Sequence, residues 1–461
     1  MNKKIYIKDI IDVCNAYLFC GNEKIECTSF SKDTRQIEKN DVYVGIKGTN
    51  FDGNLFFDEA FKKGACACIL EKNSFNNLDI DKEKYINNTI ILVDNSIKAL
   101  QKLAKYKRSL YDIPVIAVTG SVGKTSTKDM IASVLKQKYN VLKTEGNYNN
   151  HIGLPLTILK LKEHDALVLE MGMNNLGEIS LLSNIANPNI AVITNIGTAH
   201  IGNLGSRENI LKAKLEILDG ISSNGVLIIN NDNDLLHENL ENIKHKINVI
   251  TIGIDNNSDY NAYNIIDNVF SSKFNINDND IEVNVGGKPF IYNSLVAYAI
   301  GKYLNINEKD IIKGIAKFKL SSNRMEKIIN NKGVTIINDT YNASYDSVIA
   351  ALDLINKSNY KRKVLILGDI LELGDYSKDI HNKIGKYISN LNINKIILVG
   401  NEVKYVKEAL FNGNFNMNNL YYFEKESDTY NLLNDLLQKD DIVLIKGSHG
   451  VNLINIVDKI K

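Results

Sequence analysis

Short apolar runs bounded by polar turns rich in Gly, Asn or Asp recur along nearly the whole chain, and segments of helical period lie between many of them. Runs of this length read as buried strands, and their alternation with helices predicts parallel sheets covered on both faces. They fall into three groups. In residues 1–110, runs at 27–30, 41–46, 67–70 and 89–93 surround an amphipathic helix near 57–63, and a helix over 98–110 leads toward Pro114. In residues 111–320, runs at 115–118, 166–169, 190–194, 226–229 and 249–252 alternate with helical stretches. Residues 321–461 repeat the alternation with runs at 334–337, 364–367, 395–399 and 442–445.

The join at Thr119-Gly120-Ser121-Val122-Gly123-Lys124-Thr125 carries the most chemistry. A strand ending in a Gly-containing turn, then Lys-Thr opening a helix, aims backbone N–H groups and a helix N-terminus at one point, where nucleotide phosphates are held. Lys124 is expected to reach the β- and γ-phosphates and Thr125 to ligate Mg²⁺. The full pattern asks for Gly five residues before Gly123, where Val118 stands, so the loop is a compressed one.

In an open parallel sheet the ligand lies beyond the carboxyl ends of the strands. Glu170 is the only charged residue of its strand and ends it, the place of an acidic partner to the phosphate loop. His200 follows the next strand end, where a metal ligand and a capping histidine are both open readings. On a helix over 206–219 with Ser206 as N-cap, Ile210, Leu211, Leu215, Ile217 and Leu218 form one apolar arc with Lys214 in its middle, while Lys212, Glu216 and Asp219 lie opposite. A lysine in such an arc must snorkel, pair or be chemically altered. In the last group, Asp339, Asn342, Asp369, Glu372 and Lys446 follow strand ends and are expected along one rim facing the nucleotide.

Composition narrows the classes. The length of 461 residues fits about three domains, and Lys+Arg 55 against Asp+Glu 54 gives a net charge of +1, so no global field points to nucleic acid. No apolar run reaches a membrane span and no apolar leader opens the chain, so a cytoplasmic location is expected. The five cysteines make neither a disulfide framework nor a zinc pattern and are expected to be reduced.

Taken together, the loop at 119–125, Gly146-Asn-Tyr-Asn-Asn150, Glu170-Met-Gly-Met173, Asn195-Ile-Gly-Thr-Ala-His200, Asn323-Arg-Met-Glu326, Asp339-Thr-Tyr-Asn-Ala343 and Leu367-Gly-Asp-Ile-Leu-Glu-Leu-Gly374 resemble the Mur ligase family over essentially the whole chain. The resemblance implies an α/β chain of three domains: a UDP-substrate-binding N-terminal α/β domain (1–110), a central ATP-binding domain with a P-loop-type parallel sheet (111–320), and a C-terminal Rossmann-like domain (321–461) that binds an incoming dipeptide. The implied reaction is ATP-driven, Mg²⁺-dependent amide bond formation through an acyl phosphate. It joins D-alanyl-D-alanine to UDP-N-acetylmuramoyl-tripeptide in peptidoglycan precursor synthesis, by an enzyme acting as a monomer. Another amide ligase, such as the preceding tripeptide-forming enzyme or a folylpolyglutamate synthase, is the alternative, and a non-catalytic phosphate-loop protein is the more distant one.

By the same resemblance, Gly120, Ser121, Val122, Gly123, Lys124, Thr125 and Ser126 contact ATP phosphates. Asn293, Arg324, Asp339 and Asn342 contact the adenosine. Thr125, Glu170, His200 and a carbamylated Lys214 hold Mg²⁺, and Lys124, Lys214 and His200 are the catalytic set. Ser31, Asp33, Thr34, Arg35, Gly48, Asp52 and Gly53, with Asn149 and Asn150, bind the UDP-substrate. The chain departs from the family pattern at Pro289-Phe290, where relatives often carry His-Asn, and at Asn54, Tyr345 and His449.

Overall fold

The computed structural model describes residues 3–76, 83–413 and 415–461. Three larger sheets account for the apolar runs. The N-terminal sheet has the order Tyr17–Cys20, Thr89–Val93, Ala67–Glu71, Asp41–Val44, Ser29–Ser31, parallel except for the first edge strand. Helix Ser96–Ser109, whose first turn is capped by the Asn95 side chain accepting from the Lys98 N–H, leads into the central sheet.

The central sheet is wholly parallel, in the order Tyr260–Asn261, Asn248–Gly253, Val226–Asn230, Ile190–Ile193, Val115–Thr119, Ala166–Glu170, Val141–Lys143. Alternate side chains of the inner strands enter two different cores. Ile116, Val118, Val168, Val192 and Ile228 pack with helices Lys124–Leu135 and Lys288–Tyr303. Ala117, Leu167, Leu169, Ile193 and Ile229 pack with Ser96–Ser109, Gly153–Leu159 and Glu178–Ala186. Covering both faces explains why these strands are continuous apolar runs rather than alternating ones.

The C-terminal sheet runs Glu326–Ile329, Thr335–Asp339, Asp441–Lys446, Arg362–Gly368, Lys395–Val399, Leu420–Phe423, with only the first strand antiparallel. The central and C-terminal sheets each have a point where strand order reverses. It lies at Val115–Thr119 in the central sheet and at Asp441–Lys446 in the C-terminal one, and ligand crevices form there.

Two expectations change. Residues 263–283 form a separate antiparallel sheet of Tyr263–Asn268, Ser271–Ile276 and Asn279–Val283 instead of continuing the parallel alternation. The helix expected over 206–219 is α-helical only over Arg207–Leu215 and tightens to a 3-10 helix over Glu216–Gly220. Glu216 is not turned to solvent as expected: its carboxylate accepts from the N–H groups of Gly177 at 2.7 Å and Ser180 at 3.3 Å.

Candidate active site

Strand Val115–Thr119 delivers the chain into a turn that two glycines make possible. Gly120 has φ 150°, and a Cβ there would stand 1.9 Å from Thr194 Oγ1. Gly123 has φ 85° and opens helix Lys124–Leu135. The turn is braced from the neighbouring strand end: Asn195 accepts from the Ser121 N–H through its carbonyl (3.1 Å) and from the Val122 N–H through Oδ1 (2.9 Å), and Ser121 Oγ accepts from the Gly197 N–H at 2.9 Å.

A cleft of about 870 Å³ lies over this turn, between the central and C-terminal sheets. Of the residues singled out from sequence, Ser121, Val122, Gly123, Lys124, Thr125, Ser126, Asn149, Asn150, Glu170, His200, Asn293, Arg324, Asp339 and Asn342 line it. Gly120 and Lys214 lie beneath the lining.

Lys124 Nζ donates to the Gly120 carbonyl at 2.8 Å, and burial lowers its proton affinity, with Glu170 opposing that effect. Glu170 is 3 % exposed; one carboxylate oxygen accepts from Asn149 Nδ2 at 2.8 Å, and the other is buried without a partner. His200 Nδ1 is buried and makes no hydrogen bond, although a Glu372 carboxylate oxygen lies 3.1 Å away, out of alignment for one. Lys214 is 1 % exposed, so it does not snorkel, and burial together with the charge of Lys124 pushes its proton affinity well below that of an ordinary lysine. Lys212, two residues away, is exposed.

Among the described residues no three His, Cys, Asp or Glu side chains gather to enclose an ion. The Thr125 hydroxyl, the unpartnered Glu170 oxygen and His200 still suit Mg²⁺, which keeps waters and binds one or two protein oxygens together with substrate phosphates. A buried, unpartnered carboxylate oxygen is costly by itself, and a cation offsets that cost.

The C-terminal unit completes the cleft. Arg324 Nη2 donates to Thr125 Oγ1 at 3.0 Å, and its guanidinium lies 3.9 Å from the Tyr341 ring centre. Asp339 accepts from the Met325 N–H at 3.2 Å and pairs with buried Lys446, which also donates to the Asn342 carbonyl at 3.2 Å. Asn293, from the central unit, accepts from Thr127 Oγ1 at 2.7 Å, and its amide nitrogen is buried without a partner. Asp369 leaves the expected rim: its carboxylate is consumed by the N–H groups of Asn401, Glu402 and Val403, each at 2.9 Å.

Ser31, Asp33, Thr34, Arg35, Gly48, Asp52 and Gly53 lie outside this cleft, around the C-terminal ends of two adjacent parallel strands of the N-terminal sheet. Asp33 accepts from the Arg35 backbone and guanidinium, and Asp52 from Asn54 and Ser74. Asn149 and Asn150 stand apart from that group, in the large cleft beside Glu170.

Sequence reasoning passed over Asn195, Thr127 and Asp346 as individual contributors. Asn195 was visible as the residue closing a strand. Asp346 accepts from the Thr198 N–H at 3.1 Å across the cleft, yet in sequence it is an ordinary acidic residue in a first helical turn.

Comparison with known proteins agrees with this layout. Residues 28–108 match the Mur ligase family catalytic domain, 118–301 the Mur ligase middle domain, and 323–449 the Mur ligase glutamate ligase domain. The UDP-N-acetylmuramoyl-tripeptide–D-alanyl-D-alanine ligase of Bacillus subtilis is 39% identical over 98% of this chain and 97% of its own. The crystal structure of MurF from Acinetobacter baumannii superposes with a TM-score of 0.88 at 29% identity, covering 99% of this chain and 98% of that one. MurF ligase from Thermotoga maritima, solved in complex with ADP, gives a TM-score of 0.80 at 28% identity over 94% and 96% of the two chains. With near full-length identity of this order and three consecutive domain matches, the chain belongs to the Mur ligase family.

Proposed function

We propose that this chain is the ATP-dependent ligase that adds D-alanyl-D-alanine to UDP-N-acetylmuramoyl-tripeptide in peptidoglycan precursor synthesis, acting in the cytoplasm as a monomer. The observation that carries the chemistry is the facing of Lys124, an unpartnered Glu170 oxygen and an unbonded His200 in one cleft closed by a second unit. The choice of amine follows the full-length likeness to the Bacillus subtilis enzyme.

On this reading residues 1–110 hold the uridine nucleotide through Ser31 to Arg35 and Gly48 to Gly53, residues 111–320 hold ATP, and residues 321–461 bring the dipeptide. Lys124 and the N–H groups from Gly120 to Ser126 bind the phosphates, and Asn293, Arg324, Asp339 and Asn342 hold the adenosine. Thr125, Glu170, His200 and a carbamylated Lys214 would hold Mg²⁺, which when bound would supply charge neutralisation for the phosphates and the attacking carboxylate.

The tripeptide carboxylate oxygen attacks the γ-phosphorus, ADP leaves, and an acyl phosphate remains. The dipeptide amine then attacks the acyl carbon and phosphate departs. Two anions must meet in the first step, which is why fixed cations line the cleft. Phosphate release from ATP with the UDP-linked tripeptide tests the reading: release should depend on D-alanyl-D-alanine and be poor with L-alanyl-L-alanine, L-lysine or meso-diaminopimelate. Efficient use of a single amino acid would overturn it in favour of the preceding step.

A further inference from the structure

Two residues in left-handed backbone conformation face each other across the cleft: His200 at φ 63° from the central unit and Glu372 at φ 66° from the C-terminal unit. Non-glycine residues stay in that region only where their surroundings hold them there. The loop bearing Glu372 is held from behind. The Ile370 N–H donates to Nε2 of His381 at 3.1 Å, the Leu371 N–H donates to Ser448 Oγ at 2.9 Å, and the Asp369 carbonyl accepts from the Ser448 N–H at 3.0 Å. His381 and Ser448 are both buried.

From the front the loop meets Gly202 without spare room. A Cβ at Gly202 would stand 2.8 Å from the Glu372 carbonyl oxygen and 2.9 Å from the Gly374 nitrogen. The outcome of both constraints is the 3.1 Å approach of a Glu372 oxygen to His200 Nδ1.

We propose that Glu372 is a positioning residue for the metal site: its carboxylate, 3.1 Å from His200 Nδ1 and not yet in line for a hydrogen bond, takes the Nδ1–H when the ring settles on a divalent cation, and thereby fixes the tautomer that leaves Nε2 free for that cation. A metal-ligating histidine is oriented through the hydrogen bond made by its other ring nitrogen. Because Glu372 belongs to the C-terminal unit, closure of that unit and completion of the metal site become one event. The inference rests on the Mg²⁺–ATP reading of the cleft.

The test uses the full chain with ADP bound, Mn²⁺ as the probe followed by electron paramagnetic resonance, and ¹⁵N shifts of His200 as the tautomer readout. Glu372→Ala should weaken Mn²⁺ by about tenfold or more and lose the Nδ1–H tautomer, while Glu372→Gln, which retains an acceptor oxygen, recovers most of the affinity. ADP affinity without divalent metal should stay at the parent value in both. If Glu372→Ala binds Mn²⁺ as the parent does while Glu170→Ala loses it, the positioning role is wrong and the metal site stands. If Glu170→Ala also keeps Mn²⁺, the metal reading of the cleft fails and this inference falls with it.

Discussion

The nucleotide cleft and the loop cluster of the N-terminal sheet are both built at the carboxyl ends of parallel strands, yet they treat their polar groups in opposite ways. In the cleft, a Glu170 oxygen, His200 Nδ1 and the Asn293 amide nitrogen are buried without partners. In the N-terminal cluster, Asp33 is satisfied by Arg35, and Asp52 by Asn54 and Ser74. Unsatisfied buried groups destabilise the free protein and are offset only when a ligand arrives, so the cleft is a place where charge is to be supplied. The N-terminal cluster is already satisfied and offers shape and exposed edges instead. Substitutions in the first region should therefore act on chemistry, and in the second on substrate affinity.

The largest contrast is expected at Lys124. Among the described residues its ammonium donates only to carbonyl oxygens of its own turn, at Gly120 and Ser121, so Lys124→Ala breaks no contact to another element. Turnover should fall on the order of 10³-fold or more, with thermal stability within about 1 kcal/mol of the parent. Phosphate release and thermal denaturation measured on the same preparation check both halves. An active variant would remove the phosphate loop from the mechanism.

Lys214 sharpens the comparison, because it is a buried amine in an apolar setting with no ionic partner among the described residues. As a carbamate it becomes an anion that a cation can satisfy. Lys214→Ala should lose about 100-fold in activity, and bicarbonate or acetate should restore part of it, whereas exposed Lys212→Ala should be nearly silent.

The sign of the pH effect follows from the lowered proton affinity of Lys214. A depressed lysine favours the neutral form in the fold, so this group's contribution to stability is highest above the ordinary lysine range and declines as pH falls below it. In bicarbonate-depleted buffer, Lys214→Met should flatten that decline in a denaturation series across pH. A series that keeps the parent slope would show that Lys214 is not the group responsible.

The contrast between regions also explains what the sequence disclosed. The inner strands and the phosphate loop were legible because their determinants are local: an apolar run, two glycines and a Lys-Thr pair. Helical phase placed Lys214 in an apolar arc and left snorkelling open, and its burial in the fold decides against snorkelling. Edge strands Tyr17–Cys20, Val141–Lys143 and Leu420–Phe423 were passed over, although the first and last are apolar or aromatic throughout; Val141–Lys143 spans only three residues and ends in a lysine. The antiparallel sheet over 263–283 has no continuous apolar run, because polar residues such as Asn264, Asn268, Lys273 and Glu282 interrupt each strand. Asp369 directly follows a strand and Asp346 sits in a first helical turn, and neither place tells in sequence what the carboxylate binds. Only long-range backbone partners separate the anchoring carboxylate of Asp369 from the bridging one of Asp346.

The smallest effect is expected at Arg35, and it tests the other side of the comparison. Its side chain is 82 % exposed and pairs with Asp33 at 2.7 Å, a surface ion pair of the kind that adds little to stability. Arg35 pulls the Asp33 carboxyl down to about 2, so whatever the pair contributes is fully present above the ordinary aspartate value near 3.8 and is lost as pH falls toward 2. At neutral pH the pair is intact and nearly neutral in folding energy. Arg35→Ala should leave the thermal midpoint and kcat unchanged while raising KM for the UDP-substrate by about tenfold, as loss of one charge-assisted contact to a phosphate would. The unchanged kcat is the discriminating half. If Arg35→Ala instead lowers kcat and leaves KM alone, this cluster takes part in the chemical step and the division between the two regions does not hold.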